Sequence, residues 1–382
     1  MTRLLFYVQH VKGVGHVFRT ARIVRALIRD GFDVTVVTGG LPIVGMDFYG
    51  ARVEQLPPVR AADGVFNALV DANGTPVTDT IKAERRDRLL AVFDQFQPDV
   101  LMTETFPLGR RVMRFELLPL MERAASASPR PLIVGSVRDI LQVPSSPERA
   151  DWQMGLLRTY FDHLLVHGDA QFARVEESYP PTVEIGDRLH YTGLVAPEPD
   201  PAPLPARERV DVVVSAGGGA IGHDLLRTAI AAKSQTRLAN DRWLLLSGAH
   251  MPDSVEAELQ EGCKLAGIRH ETFRSDVART LRTAKLSIQM CGYNTVCDAL
   301  VAHCRSVVVP FDDGNETEQL MRAEKLAAHG LARVQSPETL SVENLANAID
   351  EAANLDAPNT SFDLNGAENT AHLLRTLLAG RS

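Results

Sequence analysis

The segment Ala196–Arg207 reads APEPDPAPLPAR, five prolines in twelve residues, and it divides a chain that otherwise alternates short apolar runs with amphipathic stretches. Proline has no backbone donor and fixes φ, so neither helix nor sheet runs through such a segment. Before it, runs at Leu4–Val8, Val34–Val37, Val100–Met102, Leu132–Val137 and Leu164–His167 are short and mostly Val, Leu and Ile. Strands buried on both faces of a parallel sheet have that composition. Helical periodicity fits about His16–Asp30, Ile81–Phe96, Gly109–Ala125 and Asp151–Asp162 between them. In the first of these Val17, Ala21, Val24 and Leu27 share a face and Gly31 supplies the stop. Pro57–Thr80 is the least regular stretch and reads as a long loop.

After the prolines the alternation restarts. Strands read at Val210–Ser215, Trp243–Ser247, Arg269–Phe273, Leu286–Gln289 and Val307–Pro310. Helices read at about Gly222–Leu238, Ser254–Ala266, Asp276–Ala284, Glu316–His329, Leu340–Ala353 and Gly366–Ala379. The 382 residues suit two domains. The expected organisation is α/β, with two Rossmann-like βαβ domains over residues 1–195 and 208–362, a proline-rich linker over 196–207, and a terminal helix over 363–382.

Composition narrows the function classes. A formal net charge of −8 argues against a dedicated nucleic-acid binder. Arginines cluster at Arg85, Arg86 and Arg88 and at Arg110, Arg111 and Arg114, which reads first as solvated helix faces and second as a contact with anionic lipid or an anionic acceptor. No apolar run reaches the ~18 residues of a membrane span. The chain opens on a strand without a leader pattern. The four cysteines, Cys263, Cys291, Cys297 and Cys304, fit neither zinc nor redox spacings and read as buried thiols. A cytoplasmic protein is expected, with a peripheral contact to the inner face of a membrane left open.

Chemistry-bearing residues gather just past strand ends, where parallel sheets bind ligands. Leu4–Val8 runs into Gln9-His10-Val11-Lys12-Gly13-Val14-Gly15-His16, a glycine turn entering a helix. Backbone N–H groups and the positive helix end suit a phosphate or oxyanion there. Phe18 stands where a dinucleotide fingerprint needs its third glycine. Glu104 follows the Val100 strand, and Arg138 and Asp139 follow the Leu132 strand. Past Ser215 comes Ala216-Gly217-Gly218-Gly219-Ala220-Ile221-Gly222, which fits a dinucleotide loop by spacing. That reading requires an acid after the next strand, and Ser247-Gly248-Ala249-His250 has none.

The pattern Gly292…Thr295…Asp298…Pro310…Gln319…Ala323 resembles the donor-sugar signature of glycosyltransferases with the GT-B fold, and family 28 in particular. The resemblance implies two facing Rossmann-like domains with the active site in the cleft between them, and a last helix packed back across the hinge. It implies that Gly13, Gly15 and His16 face the acceptor, and that His16, or alternatively Glu104, takes the acceptor proton. Arg138 could bind an anionic acceptor. Gly217, Gly218, Gly219 and Ala220 would meet the donor diphosphate, and the backbone at Phe273 and Arg274 would read the uracil edge. Gly292, Asn294, Thr295 and Asp298 would complete the donor site, Asp298 accepting from the ribose hydroxyls, for which a carboxylate has two acceptor oxygens. Glu318 and Gln319 would hold the sugar hydroxyls. The chain departs from the family in Gly217, where serine is common, in Asp298, where glutamate is common, and in a longer loop before Glu318.

The implied reaction is inverting, metal-independent and cofactor-free transfer from a UDP-sugar such as UDP-N-acetylglucosamine to a sugar, lipid-linked or small-molecule hydroxyl. A UDP-sugar epimerase or hydrolase of the same fold, and a non-catalytic nucleotide-sugar-binding subunit, are the alternatives. Each residue also has a plain structural reading: His16 as a helix start, Glu104 and Arg138 as caps, Asp298 as a helix-dipole acid, and Glu318 in a capping box with Asn315.

Overall fold

The computed structural model describes residues 1–381 except 12, 44, 63–64, 219–220 and 312–316, and describes only the backbone of 65–67. The chain divides into two units, Met1–Val195 with Asn365–Ser382, and Ala196–Leu364.

Unit 1 contains β1 (Arg3–Val8), α1 (Gly15–Arg29), β2 (Asp33–Thr38), β3 (Arg52–Gln55), β4 (Val59–Ala62), β5 (Val65–Asp71), α2 (Asp79–Phe96), β6 (Val100–Glu104), α3 (Arg114–Ser126), β7 (Leu132–Arg138), α4 (Pro147–Tyr160), β8 (His163–His167), α5 (Val175–Ser178) and β9 (Leu189–Tyr191). Seven strands form one parallel sheet in the order β3-β2-β1-β6-β7-β8-β9. Strand order therefore reverses between β1 and β6, where Leu4 faces Val34 on one side and Val100 on the other.

Successive side chains of a strand point to opposite faces. Leu5 and Tyr7 of β1 join a core with Leu89 and Phe93 of α2, Leu117 of α3 and Leu157 of α4. Leu4, Phe6 and Val8 join a second core with Val17, Val24 and Leu27 of α1. Each such side chain contributes about 1.5–3 kcal/mol on burial, so β1 is fixed from both sides.

One arginine read as solvated is buried. Arg85 of α2 is fully enclosed and pairs with Glu116 of α3, Nε to Oε2 at 2.8 Å and Nη2 to Oε1 at 2.7 Å. The Tyr7 hydroxyl donates to the same carboxylate at 2.5 Å. Burial, then Glu116, pushes the Tyr7 phenol well above its ordinary value. Arg85 also donates to the Gln9 side chain at 2.9 Å, which ties down the start of the loop that leads to His16.

The stretch read as a loop, Pro57–Thr80, instead holds an antiparallel hairpin, β4 with β5. Asp71 nucleates a further turn there, its Oδ1 accepting from Asn73 N at 2.8 Å and Thr75 N at 2.9 Å.

Unit 2 contains β10 (Val212–Ser215), α6 (His223–Ala232), β11 (Trp243–Leu246), α7 (Asp253–Ala266), β12 (Arg269–Glu271), α8 (Val277–Leu281), β13 (Leu286–Met290), α9 (Tyr293–Val301), β14 (Ser306–Val309), α10 (Glu318–Ala328), β15 (Arg333–Val334) and α11 (Val342–Ala353). Its six strands are parallel in the order β12-β11-β10-β13-β14-β15, and the order reverses between β10 and β13. The proline-rich segment lies on this unit. Prolines cannot donate, but the segment's carbonyls accept: Arg279 donates to Ala202 O and Pro203 O, each at 2.9 Å, and Arg282 donates to Asp200 O.

The last helix, α12 (Gly366–Ala379), returns to unit 1. Ala367, Ala371 and Leu374 enter the core beneath α1, and Arg375 Nε pairs with Asp30 at 2.7 Å. No helix among the described residues is long and apolar enough to cross a membrane.

Candidate functional site

Both strand-order reversals carry the glycine turns and polar residues singled out in the sequence. A reversal opens a crevice at the carboxyl ends of the two strands that flank it. In unit 1 the flanking strands end at Val8 and Glu104; in unit 2 they end at Ser215 and Met290.

In unit 1, Gly13 leads to α1, which starts at Gly15 after Val14, a residue with no side-chain acceptor to cap it. A Cβ on Gly13 would meet nothing within 4 Å, so packing does not dictate glycine at that position. His16, in the first turn, brings Nδ1 to 3.1 Å from Glu104 Oε1. One turn on, Arg19 donates to the same oxygen. Thr105 reaches it at 3.1 Å from a backbone at φ 69, which a β-branched residue adopts only under strain of ~1–3 kcal/mol. The other oxygen, Oε2, accepts from Ser136 of β7 at 2.7 Å.

Hydrogen positions follow from the carboxylate, which accepts only. His16 therefore carries its hydrogen on Nδ1, and its lone pair is on Nε2. Ser136 spends its hydrogen on Glu104 and so accepts from His167 Nε2 at 2.9 Å. His167 Nδ1 in turn accepts from Thr192 at 2.9 Å. Glu104 is enclosed, with 0% of its side chain exposed, whereas His16 keeps 16%.

The electrostatics keep both imidazoles neutral. Burial, then Arg110, lowers His16 to about 3, with Glu104 opposing. Burial, then Arg19, lowers His167 to about 3. Burial pushes Glu104 up, but Arg19, His16 and Ser136 together outweigh it and hold the carboxyl well below its usual range. Arg110 anchors its Nε on Gln9 O at 2.7 Å, and burial, with Arg138 adding to it, lowers its pKa to about 10. Arg138 is the last residue of β7, half-buried, and its charge acts on Arg110. The sequence reading missed Arg19, Ser136 and His167, and had Arg110 only as one of a cluster of arginines that could meet an anionic lipid or acceptor. The available signals were an arginine three residues after His16 on an otherwise apolar helix face, and polar residues inside strands that are otherwise apolar.

In unit 2, Gly217 sits at φ 79 and Gly222 at φ 84, both in the region that favours glycine. A Cβ on Gly222 would approach Met290 Sδ to 2.6 Å and Ala216 Cβ to 2.8 Å, so that glycine is fixed by the fold. Gly218 O lies 2.9 Å from His250 Nδ1. Gly219 and Ala220 lie outside the described residues. The Gly217 turn meets the first turn of α9, where Thr295 Cγ2 would lie 3.9 Å from a Cβ on Gly217. Gly292, the N-cap of α9, has φ −71 and ψ 150, and a Cβ there would come no nearer than 3.5 Å to Thr295 Oγ1. The fold does not require glycine at 292.

Asn294 and Asp298 lie half-buried on α9. Thr295 donates its hydroxyl to Gly292 O at 2.8 Å and also contacts Met290 O at 3.1 Å. Gln319 has a structural duty: its Oε1 accepts from Cys291 N at 3.0 Å and Phe311 N at 3.1 Å, tying the ends of β13 and β14 together. Glu318 is buried and pairs with Arg322 at 2.8 Å, and Arg322 donates to Cys291 O at 3.0 Å. Asn315, its partner in the capping-box reading, lies outside the described residues. Phe273 and Arg274 follow the edge strand β12, about 10 Å of sheet from the reversal. Phe273 is 49% exposed, while Arg274 is tied to Glu271 at 3.1 Å, Asp276 at 3.4 Å and Thr280 at 3.1 Å.

Three helices at these reversals, α1, α6 and α9, start on Val14, Gly222 and Gly292, none of which offers a side-chain cap. Elsewhere α2, α4 and α11 are capped by Thr78, Ser146 and Ser341, while α3, α7, α8, α10 and α12 also start without a side-chain cap. An uncapped helix start directs its dipole at whatever occupies the crevice. Among the described residues no group of three or more His, Cys, Asp or Glu side chains could hold a metal ion.

Residues 212–370 match the glycosyltransferase family 28 C-terminal domain. Over 202 residues the chain is 29% identical to a UDP-N-acetylglucosamine--N-acetylmuramyl-(pentapeptide) pyrophosphoryl-undecaprenol N-acetylglucosamine transferase of Brucella anthropi, covering 51% of this chain and 53% of that one. The chain thus spans about half the length of such curated relatives. Among solved structures, MurG of Acinetobacter baumannii superposes with a TM-score of 0.56 at 15% identity, over 98% of this chain and 100% of that one. The calicheamicin glycosyltransferase CalG4 superposes with a TM-score of 0.59 at 15% identity, over 99% and 94%. The chain has the GT-B fold of these glycosyltransferases and resembles family 28 over residues 212–370.

Proposed function

We propose, for a chain with this fold and a family 28 C-terminal domain, that it transfers a sugar from a UDP-sugar to an acceptor hydroxyl with inversion and without a metal. Unit 2 binds the donor and unit 1 supplies the base. The observation that carries this reading is the placement of the two polar clusters at the strand-order reversals, the His16–Glu104 pair at one and the glycine turn with the start of α9 at the other.

In this mechanism His16 Nε2 takes the acceptor proton as the acceptor oxygen attacks the anomeric carbon. The bond from that carbon to the diphosphate oxygen breaks on the opposite face, which inverts the centre. Glu104, fixed on Nδ1, stabilises the imidazolium that forms. The leaving diphosphate gains charge against the backbone of the Gly217–Gly222 turn and the start of α9, the electrostatic term that usually dominates such steps. Asp298 holds the ribose hydroxyls. The backbone past β12 reads the base, with Phe273 beside it. Gln319 has donor N–H groups on Nε2 for the sugar, since its Oε1 is engaged.

The field around His16 bears on the acceptor. Burial and Arg110 oppose a charged imidazole, so proton uptake is costly until something offsets them. An anionic acceptor group beside Arg110 and Arg138 would do so. The name of the Brucella relative gives a pyrophosphoryl-undecaprenol acceptor and N-acetylglucosamine as the transferred group. That supports UDP-N-acetylglucosamine and a lipid-linked diphosphate as the first substrates to try, with the chain working at the inner membrane face.

The test is mass-spectrometric product analysis with a panel of UDP-sugars and lipid-linked or free-sugar acceptors, with and without chelator. Coupling constants at the new linkage report inversion. Turnover of donor without acceptor would favour epimerisation or hydrolysis. UDP binding with no turnover on any acceptor would favour a non-catalytic subunit.

A further inference from the structure

Where β7, β8 and β9 begin, at the opposite end of the unit 1 sheet from His16, the surface opens into a depression of about 380 Å3. Its lining includes four guanidinium side chains, Arg130, Arg158, Arg188 and Arg381, and one carboxylate, Asp162. They converge from four parts of the chain: ahead of β7, late in α4, ahead of β9 and just past α12.

The charges do not cancel. Asp162 takes Arg130 Nη1 on both oxygens at 2.9 Å and also accepts Ile133 N at 2.8 Å, so its capacity is largely spent. Arg381 remains 3.9 Å from it. Arg188 gives one N–H to Phe161 O at 3.0 Å and has further donors. Arg158 pairs with Glu184 at 2.6 Å, but both are more than half exposed, and such a pair is worth at most about 1 kcal/mol. His163, on the lining, lies 3.0 Å from His190. Burial, then His190, holds His163 below its ordinary value; Arg188 and Arg381 add to the effect and Asp162 opposes it.

We propose that this depression is an anion site of unit 1, separate from the reaction site, that binds a phosphate group. A tetrahedral oxyanion offers several acceptor oxygens to converging guanidinium forks, and charge-assisted contacts of this kind are the strong ones. The group belongs either to a soluble diphosphate or to a phospholipid headgroup. Seven residues of β7 separate this end of the sheet from Arg138, a span of about 20 Å, so a phosphate bound here does not touch His16.

The experiment titrates inorganic pyrophosphate calorimetrically into the full chain with excess UDP present, so that a donor site is already filled. It is repeated on Arg381→Glu and Arg188→Gln, with circular dichroism to verify folding. Arg381 is exposed beyond the last helix, so its variant keeps the core. Each variant should weaken pyrophosphate by at least about tenfold, the scale of one lost charge-assisted contact. A parallel arm sediments the chain with phosphatidylcholine vesicles with and without phosphatidylglycerol. Anionic-vesicle binding that pyrophosphate displaces and both variants lose assigns the site to a headgroup. Pyrophosphate binding without vesicle binding assigns it to a soluble phosphate. Equal pyrophosphate affinity in wild type and both folded variants overturns the proposal. So does the absence of both kinds of binding, or vesicle binding that neither variant changes.

Discussion

Glu104 faces His16 from inside the sheet, its Oε1 3.1 Å from Nδ1, and no part of the Glu104 side chain reaches solvent. In the proposed mechanism this geometry divides the labour between two residues that the sequence left as rival bases: the enclosed carboxylate orients the imidazole, and the partly exposed imidazole is the group that would meet the substrate.

His16→Ala should lower kcat by about 10²–10⁴-fold, the range for loss of a general base, with UDP affinity unchanged. Glu104→Gln should also lower kcat, and it should destabilise unit 1 by about 3–5 kcal/mol because Arg19 loses its buried partner. Steady-state kinetics and urea unfolding on the two variants separate the roles. A fully active His16→Ala removes the base assignment.

Acid should loosen unit 1 before it protonates Glu104. His16 and His167 both have folded pKa values of about 3 against an ordinary 6.5. A folded value below the unfolded one means that the stability gained by staying neutral is whole above about 6.5 and drains away as pH falls toward about 3. Each histidine contributes at most about 1.4 kcal/mol per pH unit in that window. Glu104, held lower still, adds its loss at the acid end. With Trp243→Phe, Trp152 of α4 reports unit 1 alone. Its urea midpoint should fall steadily as pH drops from about 6.5 to about 4. A flat profile would sink the neutral-histidine account.

Two glycines in unit 2 should behave oppositely. Gly222→Ala meets Met290 and Ala216 and a φ of 84, so it should cost about 1–3 kcal/mol of unit 2 stability. Gly292→Ala has ordinary dihedrals and room for a methyl group, so stability should change by less than about 1 kcal/mol. Its UDP affinity should nonetheless drop about tenfold or more if the donor approaches that backbone. Trp243 fluorescence and calorimetry supply both readings. Unchanged UDP binding in Gly292→Ala would move the donor elsewhere.

Asp298→Ala should weaken UDP by about 1.5–3 kcal/mol, the scale of hydrogen bonds to a charged group. The companion measurement uses 2′-deoxy-UDP, which should lose most of its preference for wild type over variant. If the variant discriminates the two nucleotides as wild type does, Asp298 serves α9 and not the ribose.

The central strands were legible because burial on both faces leaves an unbroken apolar run, as in Leu4–Val8 and Val307–Val309. The edge strand β3 is polar and partly exposed, β9 has three residues and β15 two, so none leaves such a run. In the hairpin within Pro57–Thr80, Arg60 sits inside the four residues of β4 and Asn67 interrupts β5, so no such run is left there either. At the candidate site, the strand-end rule found His16, Glu104 and the glycine turns. It could not find Ser136 under Glu104 or His167 behind Ser136, which lie 32 and 31 residues from their partners and meet only through strand order. Nor could it show that Gln319 braces two strand ends, since that duty depends on where Cys291 and Phe311 turn their N–H groups.

The return of α12 to unit 1 sets a timetable for synthesis. Domains usually fold in the order in which they are translated. Here the core that α1 shares with β1 is completed by Ala367, Ala371 and Leu374, which follow all of unit 2 along the chain. The second unit can therefore close its core on the ribosome while the first still lacks those three side chains. The half made first is finished last, and a nascent chain stalled anywhere in between presents an incompletely covered core to chaperones and proteases.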